Sequence, residues 1–134
     1  MESSQLANKI AELIFNKKGY DVKIIDLRKL TTITDYFVIC TGDSDTQVKA
    51  IADEVDKQLR DEGIKSWHTE GYQALNWVLI DFVDVVVHVF KKETREFYNL
   101  EKLWGDAPSV DVVDPMLKKE SSTLQKVKRT RKKV

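Results

Sequence analysis

The residues Tyr36-Phe37-Val38-Ile39-Cys40 form an unbroken apolar run that ends in Thr41-Gly42-Asp43-Ser44. A run with no polar alternation is what a strand needs when both of its faces are covered. The turn opens directly into the clearest helix of the chain. There Val48, Ile51, Ala52, Val55 and Leu59 form one stripe, and Lys49, Asp53, Glu54, Asp56, Lys57 and Arg60 mostly face water. Ser44 and Gln47 have capping-box spacing at its start, and Gly63 ends it. Neither a doubly apolar strand nor a one-sided helix can bury its surface alone, so the pair commits the chain to a sheet with helices packed on it.

The flanking segments extend that sheet. Leu6, Ile10, Leu13 and Ile14 predict a first helix capped by Ser3 or Ser4, with Lys17 and Lys18 in its last turn and Gly19 as a left-handed stop. Val22 to Leu27 predicts a strand, and Thr31 to Thr34 a polar break. After Gly63, Ile64 to Glu70 reads as a weaker strand and Gly71 as a turn. Asn76–Asp81 and Asp84–Phe90 then read as two strong strands joined too closely for anything but a hairpin. A last helix is predicted from about Thr94 to Trp104, stopped by Gly105. A helix between strands favours a parallel crossover, while the hairpin demands antiparallel pairing. The expected fold is α/β, a single domain with a mixed sheet of about five strands and covering helices.

Charge divides the chain. Residues 118–134 hold eight Lys/Arg and one acid, a net +7, while residues 1–117 hold 14 Lys/Arg and 21 Asp/Glu, a net −7. We expect a folded acidic domain over residues 1–108 and a disordered basic C-terminal tail over 109–134, the tail being suited to a polyanion such as RNA. No apolar run approaches the ~20 residues of a membrane span, and no secretory signal opens the chain. One cysteine and two histidines leave no disulfide framework and no structural zinc set. The chain reads as cytoplasmic, with no metal, cofactor or membrane partner.

Four features were weighed for chemistry. The Gly42-Asp43-Ser44 turn is placed where phosphates bind, but it lacks a second glycine and a lysine, so a helix cap is the better reading. Cys40 has no cationic neighbours in sequence to activate its thiol. Asp81 and Asp84 flank the hairpin turn and do not project from one strand face, which suits turn formation better than metal binding. His88, between Val87 and Val89, has no nucleophile at useful spacing and reads as a polar spot on an exposed sheet face. The aromatic content of the second half is less ordinary: Trp67, Trp77, Phe82, Phe90, Phe97, Tyr98 and Trp104 fall within 38 positions. Phe97, Leu100 and Trp104 share one face of the predicted last helix, and Trp77, Leu79 and Asp81 share one face of their strand. A partner-binding patch and a sheet covered on both sides fit this pattern equally well.

Two long segments resemble the bacterial ribosomal silencing factor, or Iojap-like, family. The first is Asp35-Tyr36-Phe37-Val38-Ile39-Cys40-Thr41-Gly42 followed by Ser44, Gln47 and Val48. The second is Glu70-Gly71, Trp77, Asp81 and Asp84 to Phe90, continuing through Arg95, Tyr98, Leu100-Glu101, Leu103-Trp104 and Asp106-Ala107. The resemblance covers about residues 4–107. One departure is visible, Phe82-Val83-Asp84 where the family's hairpin reads aromatic–glycine–Asp.

The resemblance implies a binding protein rather than an enzyme, with a fold similar to nucleotidyltransferases but without their catalytic carboxylates. It implies attachment to the large ribosomal subunit through large-subunit ribosomal protein fourteen, a block to joining of the small subunit, and homodimers. By the same resemblance the contact would be made by Trp77, Asp81, His88, Arg95, Tyr98, Glu101 and Trp104. The basic tail lies outside the family core and takes nothing from it; its charge suits contacts to ribosomal RNA and, equally, a solvated tail that aids solubility. A nucleotidyltransferase-fold enzyme and a general RNA-binding module remain the alternatives.

Overall fold

The computed structural model describes residues 1–116. Six strands form one mixed sheet: β1 (Tyr20–Asp26), β2 (Tyr36–Gly42), β3 (His68–Glu70), β4 (Trp77–Asp81), β5 (Val85–Lys91) and β6 (Ser109–Val112), in the order β3-β4-β5-β2-β1-β6. β2 and β5 run parallel, joined by a crossover through α2 (Asp45–Asp61), and every other pairing is antiparallel. The mixed α/β sheet is as the sequence implies. The sixth strand is not: Ser109–Val112 pairs with Val22–Ile25, so the sheet continues past residue 108 into what was expected to be tail. Residues 117–134, where the rest of that tail lies, are outside the described residues.

The pleat divides the sheet into two faces. On one, Tyr36, Val38 and Cys40 of β2 and Val85, Val87 and Val89 of β5 meet α1 (Ser3–Asn16) and α2. Most of this core is wholly shielded from water, including Ile10, Ile14, Val38, Ile51, Val55, Leu59, Val87 and Val89. The other face carries Ile25, Phe37, Ile39, Trp77, His88 and Phe90, beneath α3 (Lys92–Tyr98) and α4 (Leu100–Leu103).

Local chemistry explains the ends of these elements. Ser44 caps α2 by accepting the Gln47 amide at 3.1 Å, as its spacing predicts, but the Gln47 side chain reaches the Asp43 amide instead (2.6 Å). The same carboxamide donates to the Lys17 and Lys18 carbonyls, tying the start of α2 to the end of α1. α1 is capped by Glu2, ahead of Ser3 and Ser4, and its left-handed stop is Lys18 (φ 65°) rather than Gly19. Gly19 serves close approach: a Cβ there would stand 2.3 Å from Ile14 Cγ2. The predicted last helix is broken. Asn99 takes the left-handed conformation (φ 49°, ψ 58°), ending α3, and its side chain caps α4. Short polar Asn is the residue that tolerates this geometry.

Two turns set the position of β4. Gly71 sits at φ 92°, and a Cβ there would lie 1.9 Å from the Trp77 carbonyl oxygen, so no other residue fits without moving the strand. At the far end Val83 has φ 74°, with the Asp84 amide donating to the Phe82 carbonyl across it (3.0 Å). That is a γ-turn of the strained hand, costly for a β-branched residue. Asp81 steadies it by accepting the Val83 amide at 2.7 Å.

Candidate functional site

α3 and α4 are too short to cover the second face. They seal Phe90, Ile39 and Ile25 but leave the β4 side open, where Trp77, Leu79 and Asp81 are only half-buried. This face is therefore covered over one part and open over the other. Trp77 is the hinge between them, packed on Phe90 (centroids 4.8 Å) and on Tyr98 (4.9 Å). Tyr98 and Phe97 meet edge to face at 5.1 Å and stand largely in solvent, at 54% and 81% exposure. Large aromatic groups held in water next to a hydrophobic floor are the composition of a protein interface.

Beside them lies a hollow of about 240 Å³, walled by Leu27, Ile33, Phe37, Leu79, Val86 and Trp104, with Thr34, Asp81 and His88 among its lining. Phe37 holds this corner together, with its ring 4.5 Å from His88 and 5.9 Å from Trp104, edge-on to both. His88 is buried, not exposed as the sequence suggested, because the rings of Phe37, Trp77 and Phe90 pack around it, a cover that alternation alone gave no sign of. Burial pushes its pKa down to about 3, so the ring is neutral. The Trp77 indole can only donate, and its Nε1–H reaches His88 Nδ1 at 3.0 Å. The proton of the neutral ring is thereby assigned to Nε2. His88 Nε2 and Thr34 Oγ1 are buried and lack a protein hydrogen-bond partner among the described residues. Each such group costs ~1–3 kcal/mol when nothing satisfies it.

The structure gathers Trp77, Asp81, His88, Tyr98 and Trp104 onto this face. Arg95 and Glu101 go elsewhere. The Arg95 guanidinium donates through Nε to Glu101 Oε1 (3.0 Å) and through Nη1 to Thr41 Oγ1 (2.8 Å) and the Asp21 carbonyl (2.6 Å). The pair thus braces α3 and α4 against β1 and β2, where a bulge puts Asp21 at φ 48°. It lies on a wider groove of about 900 Å³ in which Lys18, Lys23 and Lys92 alternate with Asp21, Glu96 and Asp111. Sequence reasoning did not place Ile33 and Leu103 among the exposed apolar groups, nor foresee how far Phe97 stands in solvent. Ile33 sat in a polar break, and Phe97 was grouped with Leu100 and Trp104 on one face of a helix that Asn99 interrupts. An apolar residue inside an otherwise polar break was the available signal.

The Gly42-Asp43-Ser44 turn is occupied by the chain itself, with Tyr20 donating to Asp43 (2.5 Å) and the Asp43 and Gln47 amides satisfied by side chains. That Asp43 contact, with burial, raises the Tyr20 pKa to about 12. Cys40 is fully buried, and desolvation raises its thiol to about 12, the state of an inert core group.

A family model described as "Ribosomal silencing factor during starvation" matches residues 1–134. The chain belongs to this family. The match runs beyond the two signatures and takes in the basic segment that had been set outside the family core. A silencing factor from Halalkalibacterium halodurans, named ribosomal silencing factor RsfS, is 45% identical over 112 residues, covering 84% of this chain and 96% of that one. A crystal structure of a Chromobacterium violaceum protein superposes with a TM-score of 0.77 at 36% identity, covering 84% of this chain and 94% of the other. A mouse relative, named mitochondrial assembly of ribosomal large subunit protein 1, is 33% identical over 98 residues, 71% of this chain and 43% of its own length.

Proposed function

We propose that this silencing-factor chain binds the large ribosomal subunit through large-subunit ribosomal protein fourteen and so keeps the small subunit from joining. The observation that carries the reading is the half-covered aromatic face. Trp77, Phe97, Tyr98 and Trp104 stand around a hydrophobic floor that the protein's own helices leave open. The name of the mouse relative points to the same subunit. Asp81 and Glu70, on this face of β4 and β3, suit a basic protein partner.

Repression then needs bulk and competition, with no chemistry. A domain of this length has a radius of gyration near 13 Å, hence a width of ~30 Å, which no closely fitting subunit interface accommodates. Occupancy of the free subunit shifts the joining equilibrium by mass action. The free protein pairs with a second copy across the same exposed aromatics, and it acts in the cytoplasm with the ribosomes. No helix among the described residues is long and apolar enough to cross a membrane. The basic segment 118–134 adds counterion-releasing contacts to ribosomal RNA.

Co-sedimentation with purified large and small subunits tests this reading. The protein should travel with the large subunit alone and inhibit reassociation in proportion to occupancy. Preferential binding to the small subunit, or full reassociation at saturating protein, would overturn it.

A further inference from the structure

Two buried side-chain polar atoms lack a protein partner among the described residues, His88 Nε2 and Thr34 Oγ1, and both residues line the 240 Å³ hollow. This coincidence is not expected of a surface dimple. Buried polar groups are almost always satisfied, and the exceptions mark places where a further group belongs. The chemistry of that group follows from the walls. Leu27, Phe37, Leu79 and Val86 ask for an apolar stem. His88 Nε2 is a donor, because Trp77 occupies Nδ1, and the Thr34 hydroxyl can donate as well. Asp81 at the lining disfavours a carboxylate or a phosphate.

We propose that this hollow is a socket for one side chain of the ribosomal protein partner, with an apolar stem and a neutral hydrogen-bond-accepting tip that takes the proton of His88 Nε2 as its donor. The inference rests on the aromatic face being the docking surface and names what that surface recognises. Both polar atoms are sealed in the free protein, so the occupant reaches them by displacing Phe37, which is itself only half-buried. Side-chain shifts of this size are ordinary on binding. Trp77 acts as a positioning residue, since it keeps the donor on the nitrogen that has no protein hydrogen-bond partner among the described residues.

The experiment compares binding of four full-length variants to purified large subunits, with thermal unfolding of each. Leu79→Trp fills the hollow from its own wall and should fold and bind at least tenfold more weakly. His88→Phe keeps an aromatic ring and removes the Nε2 donor together with the Nδ1 acceptor of the Trp77 indole, and at least a fivefold loss is expected. Thr34→Val removes a buried, unsatisfied hydroxyl, so its melting temperature should rise while binding falls. Phe97→Ala, outside the hollow, tests the surface reading itself. Wild-type binding by Leu79→Trp and His88→Phe, with loss in Phe97→Ala, overturns the socket and leaves the face standing. Wild-type binding by all four overturns the face and the socket together. If His88→Phe fails to fold, Leu79→Trp and Thr34→Val decide the matter. Equal losses by these variants on bare large-subunit RNA would replace the protein side chain with a base and overturn the proposal.

Discussion

The two faces of the sheet are built from different materials. Beneath α1 and α2 the floor is aliphatic, with Val38, Val85, Val87 and Val89 fully enclosed. On the opposite face the same two strands offer Phe37, His88 and Phe90, and β4 adds Trp77. Branched aliphatic groups pack densely and have nothing to say to water, so they suit a permanent closure. Aromatic rings with a polar edge tolerate both solvent and a partner, which suits the docking role proposed for this face. The lesson is that one strand can serve both needs, because alternate residues report to different faces.

That contrast can be broken most sharply by truncation. Leu59→Ala, under the first face, should cost ~3 kcal/mol of stability in urea unfolding, whereas Leu79→Ala on the second should cost less than ~1 kcal/mol. Equal costs would mean that the second face is as tightly closed as the first. Next in size, Tyr98→Ala and Phe97→Ala should each weaken large-subunit binding by ~2 kcal/mol, about thirtyfold, at nearly unchanged stability. Trp77→Ala, in contact with Phe90, His88 and Tyr98, should lose both binding and stability.

The pH dependence sharpens the comparison further. His88 is held neutral with its pKa lowered to about 3, while the unfolded chain takes up the proton near the ordinary value of 6.5. The unfolded state therefore binds more protons between these two values. His88's contribution is intact above pH 6.5 and declines as pH falls toward 3, by at most ~1.4 kcal/mol per unit. His88→Phe should flatten that slope, whereas an unchanged slope would place the histidine in contact with water. The smallest effect expected is a gain. Val83→Gly relieves a left-handed β-branched residue and should raise the urea midpoint by the equivalent of ~1 kcal/mol at constant m value.

Much of the first face was legible in the chain. The Tyr36–Cys40 run, the Ser44 cap and the stripe from Val48 to Leu59 depend on neighbours in sequence, and all three stand as read. The second face was legible in content but not in arrangement. Trp77 and Tyr98 do lie together, yet the exposure expected for His88 failed because its cover comes from the rings of Phe37, Trp77 and Phe90, which alternation does not reveal. Arg95 was read as a contact residue from the resemblance, and its bond to the Asp21 carbonyl, 74 positions away, was not visible in the chain. β6 was missed for a similar reason: four mostly exposed residues acquire strand character only from pairing with β1.

Gly71 has a consequence for how this surface would look to a geneticist. Its missing side chain lets the backbone pass against the Trp77 carbonyl, and any replacement pushes the start of β4 outward. A screen for lost ribosome binding would therefore return Gly71 beside Trp77, although only the tryptophan belongs to the exposed face. The two classes would separate on heating. Alleles of Gly71 would be temperature-sensitive and lose protein from the cell, whereas alleles of Phe97 or Tyr98 would accumulate normal amounts of an idle one.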